Sequence, residues 1–498
     1  MNEYKDWLSQ VIKQFIENFF NFFKNIGIWI YNSFAKEPVD YAVSLNNVFN
    51  DMTAGERVLG ILTLGIMYVC FLSLIILAFV LFKKFFRIRK IARNKESLIK
   101  EVNVLRFRLT NLSDSQNYLN APNNLAKEEV KPKEKYGNRF TKLINLDKQY
   151  KGEVLPTIMT DVDRLTLREI VTNFRNYAAG EHGLYYTYET ITLFIASLAA
   201  SKVIILEGIS GTGKTSLPYV FGKFINNDAN IISVQPSWRD RFEMIGFLNE
   251  FTNKFNETEF LKVLYEANYR DDVNLIVLDE MNLARVEYYF ADFLSLLELP
   301  DPNERKLEIV AETIPGDPKL LEEGKIRIPE NVWFVGTANN DDSTFSITDK
   351  VYDRSGSLVM NQKAESFQAE KARPINLKYD YLTNLFRNAE FEHPLSEQMK
   401  QKLLKLDDFL IENFQIALGN RLNNQINKII PVYKACGLDE LLAIDMIIAR
   451  KVLRKLEAVN IAFLQKELGD LNIFFDQLFG KNQMVECKKM LDKYIRVI

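Results

Sequence analysis

Residues 202–207, KVIILE, run straight into GISGTGKTS at 208–216 and then into a stretch of helical pattern. This junction constrains the fold more than anything else in the chain. A short strand, a glycine loop and a helix in that order put the loop at the carboxyl edge of a parallel sheet. Gly208, Gly211 and Gly213 allow backbone amides to turn inward, and the helix amino terminus adds partial positive charge, so the loop suits phosphate oxygens. Ser210, Thr212 and Ser216 belong to the same loop. Lys214 is spaced to reach the terminal phosphates of a nucleotide and the Thr215 hydroxyl to bind magnesium.

Two later strands supply partners for this loop. Asn274–Leu278 ends in Asp279 and Glu280, about 65 residues beyond Lys214, and ligands of open α/β sheets bind at the carboxyl edge where these carboxylates fall. Asp279 is expected to hold magnesium and Glu280 to polarise an attacking water. Val332–Thr337 leads to Asn339, whose amide could orient that water. Arg354 in TDKVYDRSG and Arg421 in LGNRLNN follow. Taken alone, each is more often a surface residue than a catalytic one.

The rest of the composition narrows the chemistry. The 498 residues carry 63 basic and 65 acidic side chains for a net charge of -2, which argues against a chain-wide basic nucleic-acid binder. Three cysteines exclude a disulfide scaffold, and two histidines leave little room for zinc or histidine catalysis. PDPNERK at 300–306 spells an acid and lysine set, Asp301, Glu304 and Lys306, but two prolines make it a loop.

The amino-terminal third has a different solvent preference. Residues 58–82 contain no charged side chain over 25 positions, long enough at about 1.5 Å per residue to cross a hydrocarbon layer of roughly 30 Å. Seven Lys or Arg in 83–95, against Asp40, Asp51, Glu56 and a single Arg57 in 38–57, orient such a helix with everything after Phe82 in the cytoplasm. The expectation is a single-pass protein of the cell membrane, its nucleotide domain cytoplasmic and the lipid bilayer a partner. Residues 1–57 include an aromatic-rich segment, 7–34, read as an interfacial helix, a helix packed on a partner, or a second span. Residues 83–112 continue as a basic helix with a short coiled-coil seam at Leu98, Val102, Leu105, Leu109 and Leu112. Residues 113–150 read as a flexible tether.

The order of these elements resembles the AAA+ ATPases. The wording QPSWRDRFEMIGFLNEFTNKF, LDEMNLARVEYYFADFLSLLE and VWFVGTANNDDS resembles their McrB-like, dynein-related branch over about residues 160–460. The resemblance implies that Gly208, Gly213, Lys214 and Thr215 are the Walker A loop, Asp279 and Glu280 the Walker B pair, and Asn339 the sensor 1 residue. It makes Arg354 a candidate arginine finger and Arg421 a candidate sensor 2. It places the segment from Gln235 to Phe255 near a central channel or a subunit interface. A finger acting on a neighbour's nucleotide implies a homo-oligomeric ring, most often a hexamer in this family. The GTP-binding signature of McrB motors is absent, since the matching stretch reads Ala338, Asn339, Asn340, Asp341, Asp342, Ser343. ATP with Mg2+ is therefore the expected cofactor, with GTP as the alternative.

The expected fold is a P-loop NTPase of the AAA+ kind, with an α/β parallel-sheet core over 151–365 and an all-helical lid and tail over 366–498, preceded by the transmembrane helix and coiled coil. The first functional reading is a membrane-anchored ATPase that remodels or gates a partner protein. The second is a nucleic-acid-directed motor of a restriction or antiviral system with its nuclease on another chain. It ranks lower, because no basic stripe with interleaved aromatics is present. A third is a nucleotide-switched membrane scaffold.

Overall fold

The computed structural model describes residues 138–339, 344–361, 364–458 and 464–496, with Lys36, Asp40 and Val43 as isolated positions. The chain divides between Val130 and Lys131 into two units, and the architecture below belongs to the second.

Nine strands occur among the described residues. They are β1 (Val203–Gly208), β2 (Asn230–Ser233), β3 (Leu248–Asn249), β4 (Lys254–Phe255), β5 (Asn274–Asp279), β6 (Lys306–Glu308), β7 (Lys325–Arg327), β8 (Val332–Asn339) and β9 (Gly356–Val359). Five form one sheet in the order β2-β5-β8-β1-β9, every pair parallel, while β3 with β4 and β6 with β7 make two small hairpins. The chain leaving β1 goes to β2 on one side, and the chain leaving β8 crosses to β9 on the other. A topological switch therefore lies between β1 and β8, the place where open α/β sheets leave a crevice for ligands.

Helices cover both faces of this sheet, which explains why its strands read as apolar runs. In chain order they are α1 (Lys142–Gln149), α2 (Leu167–His182), α3 (Tyr188–Ala200), α4 (Ser216–Phe224), α5 (Arg241–Ile245), α6 (Glu259–Glu266), α7 (Val286–Tyr289), α8 (Ala291–Leu296) and α9 (Asp349–Tyr352). Ile204 and Leu206 of β1 enter one core with α2, α3 and α4, while Val203 and Ile205 enter a second with α6 and α8. Leu275 and Val277 oppose Ile276 and Leu278 on β5, and Trp333 and Val335 oppose Val332 and Phe334 on β8. Each is the period-2 consequence of strand geometry.

The described part of this unit begins at residue 138. Part of the stretch read as a tether forms α1, with Phe140, Leu143 and Leu146 in the second core. The buried Asp147 carboxylate accepts hydrogen bonds from Tyr265 Oη (2.7 Å), Tyr269 Oη (2.6 Å) and the Lys319 amide (2.8 Å). In the segment after β2, Asp240 caps α5 by accepting from the Phe242 amide at 2.8 Å, and Arg241 pairs with Asp292 at 2.7 Å. These are salt bridges and caps within one chain.

The carboxyl-terminal region is helical: α10 (Tyr379–Glu392), α11 (Glu397–Phe414), α12 (Gly419–Ala435), α13 (Glu440–Lys451), α14 (Gln465–Phe479) and α15 (Val485–Arg496). Ser396 and Asp439 cap α11 and α13 through their side chains, as expected of Ser and Asp at that position. The apolar faces of these helices join the first core, so lid and sheet share one hydrophobic interior. Phe474 stacks on Phe409 at 4.4 Å and Phe475 is fully buried, which makes them packing residues.

The single-pass membrane placement with a cytoplasmic nucleotide domain is corrected. Among the described residues no helix is long and apolar enough to cross a membrane. The most apolar of them, α3, has 13 residues, about 20 Å at 1.5 Å per residue against a hydrocarbon layer of roughly 30 Å. The 18-residue α11 buries Met399, Leu403, Leu406, Leu410 and Phe414 on one face and carries Lys and Glu on the other. Residues 1–57, 58–82 and 83–112 lie outside the described residues, Lys36, Asp40 and Val43 aside. Neither a membrane anchor nor a bilayer partner is retained.

One lysine joins lid to core. Lys451, only 5% exposed at the end of α13, donates to the Tyr352 carbonyl at 3.0 Å, to the Ser355 carbonyl and to Gln425 Oε1. All three acceptors are neutral, and burial pushes the ammonium down to about 7, with Asp353 opposing. An unfolded lysine titrates near 10.4, so from about pH 7 upward the unfolded chain binds the extra proton and stability rises with pH. Chemical denaturation at pH 7 and pH 9 should show the wild type gaining stability relative to Lys451→Met. An equal change in both proteins would show that Lys451 is not desolvated in this way.

Candidate functional site

The loop between β1 and α4 requires glycine where the fold is tightest. Gly208 has φ +140°, and a Cβ there would lie 2.3 Å from the Met360 carbonyl oxygen. The cause is the sheet itself, because β9 pairs with β1 and the Met360 amide donates to the Glu207 carbonyl at 2.8 Å. Gly213, with φ +87°, lies against the Tyr186 hydroxyl, which donates to its carbonyl at 3.1 Å. Lys214 is 6% exposed, and its ammonium donates to the carbonyls of Gly208 (3.0 Å) and Ile209 (2.7 Å). Thr212 Oγ1 donates to the same Ile209 carbonyl at 2.9 Å. Ser210 and Gly211 are exposed, and Gly211 has open space where a Cβ would stand. Ser216 opens α4.

The carboxyl edge of the sheet brings the other predicted residues to this loop. Asp279 Oδ1 accepts from Thr215 Oγ1 at 2.7 Å and from Thr337 Oγ1 at 2.8 Å. Thr337 Oγ1 in turn accepts from the Glu280 amide at 2.9 Å. Glu280 is held left-handed, φ 52° and ψ 48°, an uncommon conformation for a residue with a side chain and one that clusters at functional sites. Its Oε1 lies 3.4 Å from Asn339 Nδ2. The next residue, Met281, is seated over Gly336 of β8, where a Cβ would stand 1.9 Å from its sulfur. Asn282 completes the edge, donating to the Asn339 carbonyl at 2.8 Å. Thr215, Asp279, Glu280 and Asn339 are thus one connected cluster.

Thr215 and Asp279 present a hydroxyl and a carboxylate oxygen side by side. That set suits Mg2+, which takes few protein oxygens and completes its shell with water and phosphate. Among the described residues no group of three or more His, Cys, Asp or Glu could hold a metal ion, so the donors do not form an all-protein cage.

Beside the cluster opens a cavity of about 880 Å³, whose wall includes Tyr186, Glu207, Thr212, Asn339, Arg450 and Arg454. Burial pushes the Glu207 carboxyl up, and the Tyr352 hydroxyl bonded to it at 2.7 Å opposes that shift. Arg354 and Arg421 do not line this cavity. Both instead reach Glu298, Arg354 Nε at 3.1 Å and Arg421 Nε at 2.7 Å.

Four residues here escaped the sequence reading. Thr337 was accessible to it, since residues two apart on a strand share a face and Thr337 stands two before Asn339. Asn282, Tyr186 and Arg450 carry no local signal, being brought in from a turn, an interhelical loop and the lid.

No protein-family model matches the chain. It is 23% identical over 270 residues to the Type IV methyl-directed restriction enzyme EcoKMcrB subunit of Escherichia coli K12, a match covering 52% of each. The chain therefore spans about half the length of the curated relative it matches. It is also similar to the crystal structure of a candidate ATPase from Cytophaga hutchinsonii, at 13% identity and a TM-score of 0.37, over 59% of this chain and 82% of that one. That score is too low to bear on the fold. The similarity to McrB, together with the phosphate loop, the parallel sheet and the helical region after it, supports an AAA+ ATPase of McrB-like kind.

Gly208→Ala should lower stability by about 2–4 kcal/mol through backbone strain and the clash with Met360. An unchanged denaturation midpoint would mean that the loop does not adopt this close approach.

Proposed function

We propose that the chain binds ATP with Mg2+ in this cleft and hydrolyses it, working as a ring of identical copies that drives a change in a partner. The observation that carries this is the Asp279 oxygen shared by Thr215 and Thr337, which ties the phosphate loop to the carboxylate and amide of Glu280 and Asn339.

In this reading the loop amides and Lys214 cradle the phosphates, with Ser210, Gly211, Thr212 and Ser216 as part of the same cradle. Thr215 and Asp279 would hold Mg2+, which neutralises charge building on the β and γ phosphates. Glu280 accepts the proton of a water whose oxygen attacks the γ phosphorus as the bond to the β phosphate breaks. Asn339 keeps the Glu280 carboxylate and that water in line, and the left-handed Glu280 backbone aims the side chain without reorganisation. ATP is favoured over GTP because the GTP signature is missing at 338–343.

The partner is either a protein to be remodelled or gated, or a nucleic acid. The similarity to the McrB subunit favours keeping the second reading, a nucleic-acid-directed motor with its nuclease on a separate chain. Duplex DNA titrated into the ATPase assay separates the two. Stimulation that falls steeply with salt supports the nucleic-acid motor, and rates indifferent to DNA support a protein client.

Lys214→Ala should abolish nucleotide binding, while Glu280→Gln should bind ATP normally and turn over at least about a hundredfold more slowly. Equilibrium binding and single-turnover hydrolysis read the two effects separately. Normal turnover in Glu280→Gln would remove Glu280 from the proposed role.

A further inference from the structure

Glu207 puts a carboxyl group where strand alternation calls for an apolar side chain. On β1 it shares a face with Val203 and Ile205, both in the second core, and it is 6% exposed. Burying a carboxyl there costs stability unless it is hydrogen-bonded. Its partner is the buried hydroxyl of Tyr352, which donates to Oε2 at 2.7 Å. Neither residue takes part in the phosphate or water chemistry proposed above.

Tyr352 closes α9, and the lid clasps that short helix from the other side. The Arg454 guanidinium lies over the Tyr352 ring, 3.6 Å from its centroid, and pairs with Asp349 at the opposite end of α9. Lys451 donates to the Tyr352 carbonyl at 3.0 Å, and Lys455 meets Asp353 at 3.1 Å. Lid side chains from one short stretch, 451–455, therefore fasten α9 at both ends.

On the inner side the same segment holds Glu207 twice. The Tyr352 hydroxyl takes its carboxylate, and the Met360 amide, just past β9, takes its carbonyl at 2.8 Å. Gly208 follows at once, and its carbonyl accepts from the Lys214 ammonium at 3.0 Å. Main chain and side chain of Glu207 are both fixed, so the backbone entering the phosphate loop is fixed in orientation. Lid, α9, Glu207 and Lys214 are joined in one series of contacts.

We propose that Tyr352 is a positioning residue for the phosphate loop. By holding Glu207 it sets the Gly208 carbonyl that orients Lys214, and it makes ATP affinity depend on the lid's hold on α9. This deepens the ATPase reading above and rests on it. Asp349 gives a way to test the lid's part separately, because it is held by Arg454 but does not line the cavity.

Steady-state kinetics of the full-length chain test the proposal. Tyr352→Phe keeps the ring and removes only the hydroxyl. It should raise KM for ATP about tenfold and leave kcat within about twofold, the pattern of lost binding common to ground and transition states. Glu207→Leu should do the same, while Glu207→Gln, whose amide oxygen still accepts from Tyr352, should regain most of the loss. Asp349→Ala should raise KM about threefold in the wild type and add nothing in Tyr352→Phe, since residues acting through one contact are not additive. An unchanged KM in Tyr352→Phe overturns the inference, and so does a Glu207→Gln no better than Glu207→Leu. Effects of Asp349→Ala and Tyr352→Phe that simply multiply overturn the lid's part in it. If Tyr352→Phe does not fold because a carboxyl is left unpaired, the double variant Glu207→Leu/Tyr352→Phe removes both partners and carries the same KM test. Absence of Lys214-dependent turnover in the wild type sinks the ATPase reading, and this inference with it. Lys214-dependent turnover whose KM ignores Tyr352→Phe sinks this inference alone.

Discussion

A single oxygen, Oδ1 of Asp279, is where the molecule is knotted. It accepts the hydroxyl of Thr215 from the start of α4 and the hydroxyl of Thr337 from β8, while Asp279 itself ends β5. Three segments far apart in sequence thereby meet within hydrogen-bond distance, and charge-assisted bonds of this kind are among the stronger ones proteins make. Without that meeting the glycine loop would have no carboxylate held beside it. Thr337 passes the constraint on, since the Glu280 amide bonded to it holds the turn in which Glu280 is left-handed.

The sheet makes the knot possible through register. Leu278 lies opposite Gly336 and Glu207 opposite Ala338, so the ends of β5, β8 and β1 come level at the carboxyl edge. Gly336 then clears space for Met281, and Gly208 for the carbonyl of Met360. Larger side chains at either position would push apart the elements that meet at this edge. The amino edge of the same sheet carries a second cluster. There Glu298, Arg354 and Arg421 form a cationic cluster tied to the lid through Gln425 and Lys451.

How far the sequence could be read depended on the range of the signal. Gly208 to Ser216, Asp279 and Glu280 were legible because each motif is local and each sits at a strand end. Asn339 was legible for the same reason, and Thr337 could have been found by strand alternation. Arg421 is a candidate sensor 2 by resemblance, and the structure pairs it with Glu298; which face of α12 meets the core is a matter of packing. The membrane reading came from a window of hydropathy in 58–82 and found no support among the described helices, which are short or amphipathic.

By itself the sequence determined the strand, glycine loop and helix over 203–224. A phosphate loop needs particular residues at fixed spacing, and backbone geometry then forces the strand-to-helix turn that presents them. It also determined the two-faced sheet, because apolar runs on β1, β5 and β8 can only be buried by helices on both sides. Tertiary structure alone decided which groups beyond the motifs reach the cleft, among them Tyr186, Asn282 and Arg450. It alone brought Arg354 and Arg421 to one carboxylate, about a strand's length from the loop. Those outcomes depend on strand order and helix orientation, and no short window of residues encodes either.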